Sequence, residues 1–403
     1  MCAESFTQAI TVIRQAIIPQ GIMASAHATD NYNRVWSRDA VMTGIAGAIA
    51  GDEEIIQAFR NTICTLVENQ SEVGQIPSNV AFDTHGNVTH VSYGSLVGRT
   101  DATIWWIIGA CVCIHCTTDD ALKQTLHQPI AKTFALLKAW EFNNRGLIYV
   151  PLGGNWADEY VTQGYVLYDQ LLRLWALEAA AKIYHSKEYD EQAKTLRQII
   201  KYNYKFHQHT DIPVYHPSAF AKAQTVPFWW CSFSPSGYDT RWDMAANAFA
   251  LLLDIGKKED YQAVDSYLYF LNEVFSHWLL PAFYPVIKPE SEDWRLLEDN
   301  YSYRFKNEPY HFHNSGAWII FLGWLALGLK RQHFDTTISH IAKDVTQALQ
   351  SEKPSYSFYE YWNPQSRQPG GVAKLCFSAS GTIFLLKATQ ETSFHRIKDI
   401  LLI

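Results

Sequence analysis

The sequence predicts an all-α chain folded as a ring of helical hairpins, and three observations carry that expectation. Apolar residues recur at three- and four-residue spacing over roughly 5–17, 39–50, 53–69, 101–116, 120–140, 166–185, 188–205, 243–255, 259–278, 313–329, 335–350 and 376–388, the period of a helix that buries one face. No comparable set of alternating strands appears; GLIYVPL (146–152) is β-like and could form a small hairpin in a connection. Tight joins, at Gly51-Asp52 and around Lys187, alternate with long segments at 70–100, 141–165, 206–242, 279–312 and 351–375. Structureless loops of that length inside a compact domain are usually functional. Short turns alternating with long excursions suit hairpins in a ring whose one rim carries the active site.

Taken in order, the helical segments carry plausible boundaries. Asp119 precedes ALKQTL and Asp243 precedes MAANAFALLLDIG, each a side-chain acceptor for the first helical amides, and the second run ends at Gly256. No stretch rich in Pro, Gly or Ser marks a boundary, so residues 1–403 read as a single catalytic domain. Apolar residues make up 48% and charged residues 18%, enough core material to exclude disorder. A net charge of -7 without any basic run excludes an extended phosphate-binding surface, so no nucleic-acid partner is expected. Glu4 and Arg14 interrupt the amphipathic start where a signal peptide would need a basic then uninterrupted apolar region, and no apolar run approaches the roughly 18 residues that span a bilayer. A cytoplasmic protein without a membrane partner is expected, and its seven cysteines, an odd number, suit reduced thiols. Cys111, Cys113, His115 and Cys116 lie in the apolar stretch IWWIIGACVCIHC without a second ligand pair, and read as buried side chains of a helix rather than a metal site. A homo-oligomer is compatible with these observations.

The chemistry-bearing residues fall in the long segments. Trp36, Arg38 and Asp39 sit just before an apolar helix, where Arg and Asp can form a cap and a surface ion pair or can hold hydroxyl groups. Gln75, Asn79, Arg99 and Asp101 add amides, a guanidinium and a carboxylate, groups that hydrogen-bond adjacent hydroxyls when they are not simply solvated. In Gly154-Asn-Trp156-Ala-Asp158-Glu159-Tyr160 two carboxylates stand among aromatics, where lost hydration would raise a carboxyl pKa and let Asp158 or Glu159 act as a general acid. Phe358-Tyr-Glu360-Tyr-Trp362 supplies an isolated second carboxylate. Asp239, Arg241, His313 and Asn314 are polar positioning groups at helix starts, and His311 and His313, two residues apart, do not share a helix face and are poor evidence for zinc. Fourteen Trp, 22 Tyr and 21 Phe offer flat faces for sugar rings, with Trp36, Trp156, Trp229 and Trp230 the candidate platforms. Walker-type, dinucleotide-binding and nucleophile-elbow motifs are absent, so kinase, dehydrogenase and α/β-hydrolase readings lack support.

In order, these segments resemble the alkaline/neutral invertase family of glycoside hydrolases. The resemblance rests on Arg34-Val-Trp-Ser-Arg-Asp39, Thr100-Asp101-Ala-Thr-Ile-Trp105-Trp106-Ile-Ile108, Asp239-Thr-Arg241-Trp242, Phe312-His313-Asn314-Ser-Gly-Ala-Trp318 and the late Phe358-Tyr-Glu360-Tyr-Trp362. It implies an (α/α)6 barrel, a small sugar such as sucrose as substrate, no cofactor and no metal, and inversion with Asp158 as general acid and Glu360 as general base. The family's acid is followed by Arg-Arg, whereas Glu159-Tyr160 follows it here, so the leaving-group side of the pocket differs. The Trp-Ala-Asp-Glu and Ser-Gly-Ala-Trp versions resemble bacterial debranching-type α-glucosidases and hydrolases of glucosylated small solutes. A non-catalytic sugar-binding toroid would not need both carboxylates. A polysaccharide lyase on the same barrel would favour a basic cleft, which this acidic chain lacks.

Overall fold

The structure is a computed structural model that describes residues 2–27, 31–207, 213–390 and 394–403. Its helices among those residues are α1 (Cys2–Gln15), α2 (Ser37–Ala50), α3 (Glu53–Glu68), α4 (Thr100–Thr117), α5 (Asp120–Ala139), α6 (Leu167–Tyr184), α7 (Lys187–Asn203), α8 (Pro217–Phe220), α9 (Met244–Leu252), α10 (Lys258–Phe275), α11 (Trp294–Glu298), α12 (Ile319–Arg331), α13 (Asp335–Ser351), α14 (Cys376–Ala388) and α15 (Phe394–Ile400). Helices α2, α4, α6, α9, α12 and α14 form an inner ring, each packed on the next, with α14 closing onto α2; α1, α3, α5, α7, α10 and α13 stand outside. This is the (α/α)6 barrel.

Burial separates the two layers. Outer α3 buries one stripe, Ile55, Ala58, Phe59, Thr62, Ile63 and Leu66, while α4 is buried continuously from Thr100 to Ile114. Helix α4 is therefore apolar all round, and in length and composition it could cross a membrane, contrary to the sequence expectation; here it is an inner stave enclosed by its neighbours. Within the apolar stretch, Cys111 and Cys113 are buried free thiols, and His115 pairs with Asp399 at 3.3 Å.

Every inner helix from α2 to α12 ends in a tight turn containing one left-handed residue: Gly51 (φ 76°), Thr118 (φ 49°), His185 (φ 51°), Asp254 (φ 59°) and His333 (φ 65°). The following outer helices α3, α5 and α7 start on side-chain caps, Asp52 to the Ile55 amide, Asp119 to the Leu122 amide and Ser186 to the Tyr189 amide. The return from outer to inner helix is the long one, so the long segments gather where the inner helices begin. Two small three-stranded sheets stiffen that rim, Val35–Trp36 with Asn79–Phe82 and Val88–Ser92, and Tyr165–Val166 with Ser232–Ser234 and Gly237–Asp239.

Local differences from the sequence reading have local causes. GLIYVPL is not a hairpin; Val150 makes a single bridge to Gly164. Helix α12 begins at Ile319 rather than near 313, because the Asn307 side-chain oxygen accepts the His313 and Asn314 amides (3.0 and 3.1 Å) and Ser315 turns left-handed at φ 73°. The one-turn helices α8 and α11 lie inside connections too short in periodicity to be read from sequence.

The bore is filled by Trp105, Trp175, Phe249 and Trp324, one from each of four successive inner helices, with ring centroids 5.2–6.0 Å apart. Beneath them the Trp175 indole donates to the Leu401 carbonyl and the Lys182 ammonium to the Leu402 carbonyl, both at 2.7 Å. Helices α12 and α14 meet backbone to backbone: a Cβ on Gly323 would lie 2.7 Å from Gly381 Cα, and one on Gly381 would overlap the Ile319 carbonyl. Only glycine permits that approach. We expect Gly381→Ala to force the two helices apart and cost about 1–3 kcal/mol, the usual penalty of overpacking; a urea-unfolding midpoint equal to that of the parent protein would contradict this.

Candidate active site

The rim where the inner helices begin collects most of the predicted polar residues. Arg38 and Asp39 occupy the first turn of α2 and Asp101 that of α4. Arg38 donates to Asp101 at 3.0 Å, with its Nε 4.0 Å from Asp39. Tyr168 donates to the same Asp101 oxygen at 3.3 Å. Burial pushes Asp39 up to about 6 against the pull of Arg38.

Asp158 lies in the 140–166 connection, its oxygen 2.9 Å from the buried Arg99 guanidinium. Arg99 is itself fixed by donating to the Gly153 carbonyl at 2.9 Å and to Ser95 at 3.0 Å. Burial acts to raise the Asp158 pKa, but positive charge, that of Arg99 foremost with Arg38 and Lys306 behind it, outweighs burial and holds the carboxyl below its ordinary value. Of the two carboxyl groups that the sequence offered as the raised one, Asp158 is therefore not it: positive charge outweighs burial there. The raised carboxyl of the pair is Glu159, through burial and the adjacent Asp158 charge. Its Oε1 accepts a long 3.5 Å contact from the Ser302 amide, while its Oε2 is buried without a hydrogen-bond partner.

Glu360 is buried, and burial raises its pKa. Tyr32 donates to one of its oxygens at 2.6 Å and the Val372 amide to the other at 3.3 Å. Gly371, left-handed at φ 79°, lets the 360–372 turn close, since a Cβ there would collide with the Glu360 carboxyl. The Tyr32 phenol is pushed well above its ordinary range by burial first, then by Glu360, with Asp158 and Asp39 adding to it. One hydroxyl thus sits within the fields of three carboxyl groups that are far apart along the chain.

A second residue outside the sequence reading is Lys306. Its ammonium lies 4.8 Å over the Phe312 ring, and among the described residues it has no ion pair. Its charge lowers Asp158, Glu159 and Glu360 alike. The segment bearing it is fastened beside the acidic pair: Asn300 donates to the Tyr160 carbonyl at 2.9 Å and Asn307 to the Glu159 carbonyl at 2.6 Å. Tyr303 on the same segment is 88% exposed, which leaves an aromatic face free above the rim. The mix of aromatic and basic residues in Tyr301-Ser-Tyr-Arg-Phe-Lys306 was the available sequence signal.

The remaining predicted residues divide. Trp36 is half-buried, its indole donating to the Asn31 carbonyl at 2.8 Å, and it keeps part of its surface accessible. Trp156, Trp229 and Trp230 are at most 2% exposed and cannot offer a sugar a face. Trp156 stacks on Phe283 at 5.3 Å, Trp229 packs on Tyr261 at 6.1 Å, and Trp230 packs on Tyr238 at 4.8 Å. Asn314 is a backbone clamp, accepting from the Ile287 amide at 2.9 Å and donating to its carbonyl at 2.8 Å. Asn79 accepts from Arg34 at 3.1 Å. Gln75 lines a separate, mostly apolar cavity of about 620 Å³ with Trp140, Phe142 and Tyr149. His313 does join the site: burial pushes it down to about 3, so it is neutral, wedged between Trp156 and Trp318, with Nδ1 lacking a partner. Asp239 and Arg241 pair at 2.8 Å at the edge of a different cavity.

The pocket therefore unites an ionised carboxyl, a second carboxyl in a raised, buried setting and several hydroxyl-binding groups, the equipment for moving a proton to one oxygen while taking one from another. A profile of the alkaline and neutral invertases matches residues 3–215 and 223–388. Cytosolic invertase 1 of Oryza sativa subsp. japonica is 25% identical over 75% of this chain and 62% of its own. Probable alkaline/neutral invertase D of Arabidopsis thaliana is 22% identical over 75% of this chain and 66% of its own. The matched region thus spans just under two thirds of these plant relatives. Among solved structures, the GH63 mannosylglycerate hydrolase of Thermus thermophilus superposes with a TM-score of 0.63 at 11% identity, covering 94% of this chain and 99% of that one. A rhamnosidase from Klebsiella oxytoca superposes with a TM-score of 0.58 at 11% identity, covering 95% and 63%. With the family profile running through both halves of the barrel and all five motif-bearing segments, the chain belongs to the alkaline and neutral invertase family.

Proposed function

We propose that this chain is an inverting glycoside hydrolase that cleaves sucrose, with Asp158 as the general acid and Glu360 as the general base. The observation that carries the reading is the shared environment of the two carboxyl groups around Tyr32, which hydrogen-bonds Glu360 and feels the charge of Asp158. In the proposed reaction Glu360 takes a proton from water as that water attacks the anomeric carbon. Asp158 delivers a proton to the glycosidic oxygen of the departing sugar. Arg99 lowers the Asp158 pKa in the free protein, so the protonated form that acts as general acid is the minor one and takes its proton from solvent before the chemical step. Trp36, Arg38 and Asp39 lie where they can seat the glucosyl ring. We further place the protein in the cytoplasm, consistent with its buried free thiols.

A second reading, an inverting α-glucosidase of another short glucoside, is favoured by the Glu159-Tyr160 sequence beside the acid, which stands where the family carries Arg-Arg and gives the leaving-group side a different charge. Incubation with sucrose, maltose, isomaltose, trehalose and glucosylglycerate, reading released glucose, separates the two; no release from sucrose with release from another member of the panel would overturn the first.

Asp158→Asn and Glu360→Gln are each expected to lower turnover at least about a hundredfold while folding normally, the scale of general acid or base catalysis. Loss of activity in Glu159→Gln with Asp158→Asn still active would reassign the acid. Inversion predicts that NMR shows the β-anomer of glucose first, and carboxyl groups roughly 6.5–9.5 Å apart leave room for the attacking water; first release of the α-anomer would mean retention.

Lys306→Met removes a charge that lowers both carboxyl groups. A base must be ionised and an acid protonated, so both limbs of the kcat/KM profile against pH should move to higher pH, with Lys306→Arg close to the parent. Superimposable profiles for Lys306→Met and the parent would remove Lys306 from the site.

A further inference from the structure

We propose that the rim carries a second saccharide-binding site, for a neutral mono- or disaccharide, in the cavity of about 830 Å³ between the Ser232–Asp239 hairpin, the 224–228 segment and the 284–296 segment. The proposal rests on the reading of the chain as a glycosidase for its choice of ligand class, and on the following geometry for the site itself.

The cavity is distinct from the pocket around Asp158. Asp158, Glu360, Tyr32 and Lys306 do not line it. The two are divided by fully buried Tyr160, stacked on Phe283 at 4.3 Å, with Trp156 on Phe283 at 5.3 Å behind them. Tyr160 also accepts from the lining residue Arg241 at 3.2 Å, so a ligand in the second cavity meets Arg241 rather than the carboxyl groups of Asp158 and Glu360.

Its chemistry points to polyols. Phe228, Tyr238, Tyr267 and Tyr284 line it with aromatic rings, and Gln163, Gln224 and several Ser and Thr hydroxyls supply donors and acceptors. Aromatic faces with interspersed amides, hydroxyls and carboxylates match the alternating apolar and hydroxylated faces of a sugar ring. The charged lining groups are Asp239, Arg241 and Asp293. Arg241 is held between the two carboxylates at 2.8 and 2.7 Å and donates to the Tyr160 hydroxyl at 3.2 Å, so its charge is already spent. Two carboxylates to one guanidinium leave the lining net negative, which disfavours phosphorylated or uronic sugars and leaves carboxylate oxygens able to accept from paired hydroxyls. The Asp-x-Arg segment that the sequence suggested for the substrate pocket is thereby assigned to this cavity instead.

The test is equilibrium dialysis of the full chain carrying Glu360→Gln against radiolabelled sucrose and glucose, compared with the same chain carrying in addition Thr225→Trp, which fills the cavity from an exposed lining position, or Tyr267→Ala, which removes one aromatic wall. The Glu360→Gln chain should bind one equivalent more of at least one sugar than the Thr225→Trp chain, and Tyr267→Ala should weaken that extra equivalent at least about tenfold. Glucose 6-phosphate should not compete for it. Equal stoichiometry and affinity for both sugars in all three chains would overturn the proposal, as would effective competition by glucose 6-phosphate. The glycosidase reading fails separately, if the wild-type chain releases glucose from no member of the substrate panel; the difference between Glu360→Gln chains with and without Thr225→Trp does not depend on turnover.

Discussion

The closeness of α12 and α14 at Gly323 and Gly381 is the constraint on which the architecture rests. Six helices can close a ring around four aromatic side chains only if neighbours approach tightly, and here the approach is bare backbone on backbone. Closure makes the inner helices parallel. Because each inner helix from α2 to α12 leaves through a tight left-handed turn into an outer one, the chain must return the full length of the barrel before starting the next stave. The return strokes enter at the helix N-termini, and that is why residues distant in sequence share one rim.

The rim's electrostatics follow from that topology. Inner-helix starts carry Asp39, Asp101 and Asp169 in their first turns and Asp243 as a cap, where unpaired amides and the helix dipole favour negative charge. Burial opposes the charge: Asp39 rises to about 6 and Asp243 to about 7, and Asp169 is pushed well above the usual range. Arg38 and Arg99 oppose that rise to different extents. The Asp158 pKa falls where a guanidinium touches the carboxyl, while that of the adjacent Glu159, without such a contact, rises.

The parts of this arrangement that were legible in the sequence are those with a period or a cap. The twelve long helices follow from three- and four-residue apolar spacing, and Asp119 and Asp243 are caps as read. The grouping of Arg38, Asp39, Arg99, Asp101 and Asp158 was readable as motifs in order. What escaped depends on direction rather than identity. Nothing in the string separates Trp36, with accessible surface, from Trp156, Trp229 and Trp230, whose rings are consumed by the packing of loops onto helices. Nor does it show that Asn314 spends its amide on Ile287, or that Tyr32 and Lys306 arrive at the carboxyl groups from connections far apart in the chain. The sign of the Asp158 shift was likewise out of reach, because it depends on positive groups brought in from elsewhere in the chain, Arg99 across 59 residues first among them.

The filled bore has a further meaning for traffic. Trp105, Trp175, Phe249 and Trp324 seal the barrel beneath the rim, and the Leu401 and Leu402 carbonyls are tied in below them. A vessel with a floor has one mouth. Whatever enters between the long connections must back out the way it came, so incoming and outgoing molecules queue for the same opening, and a molecule longer than the depth of the well can insert no more than its tip.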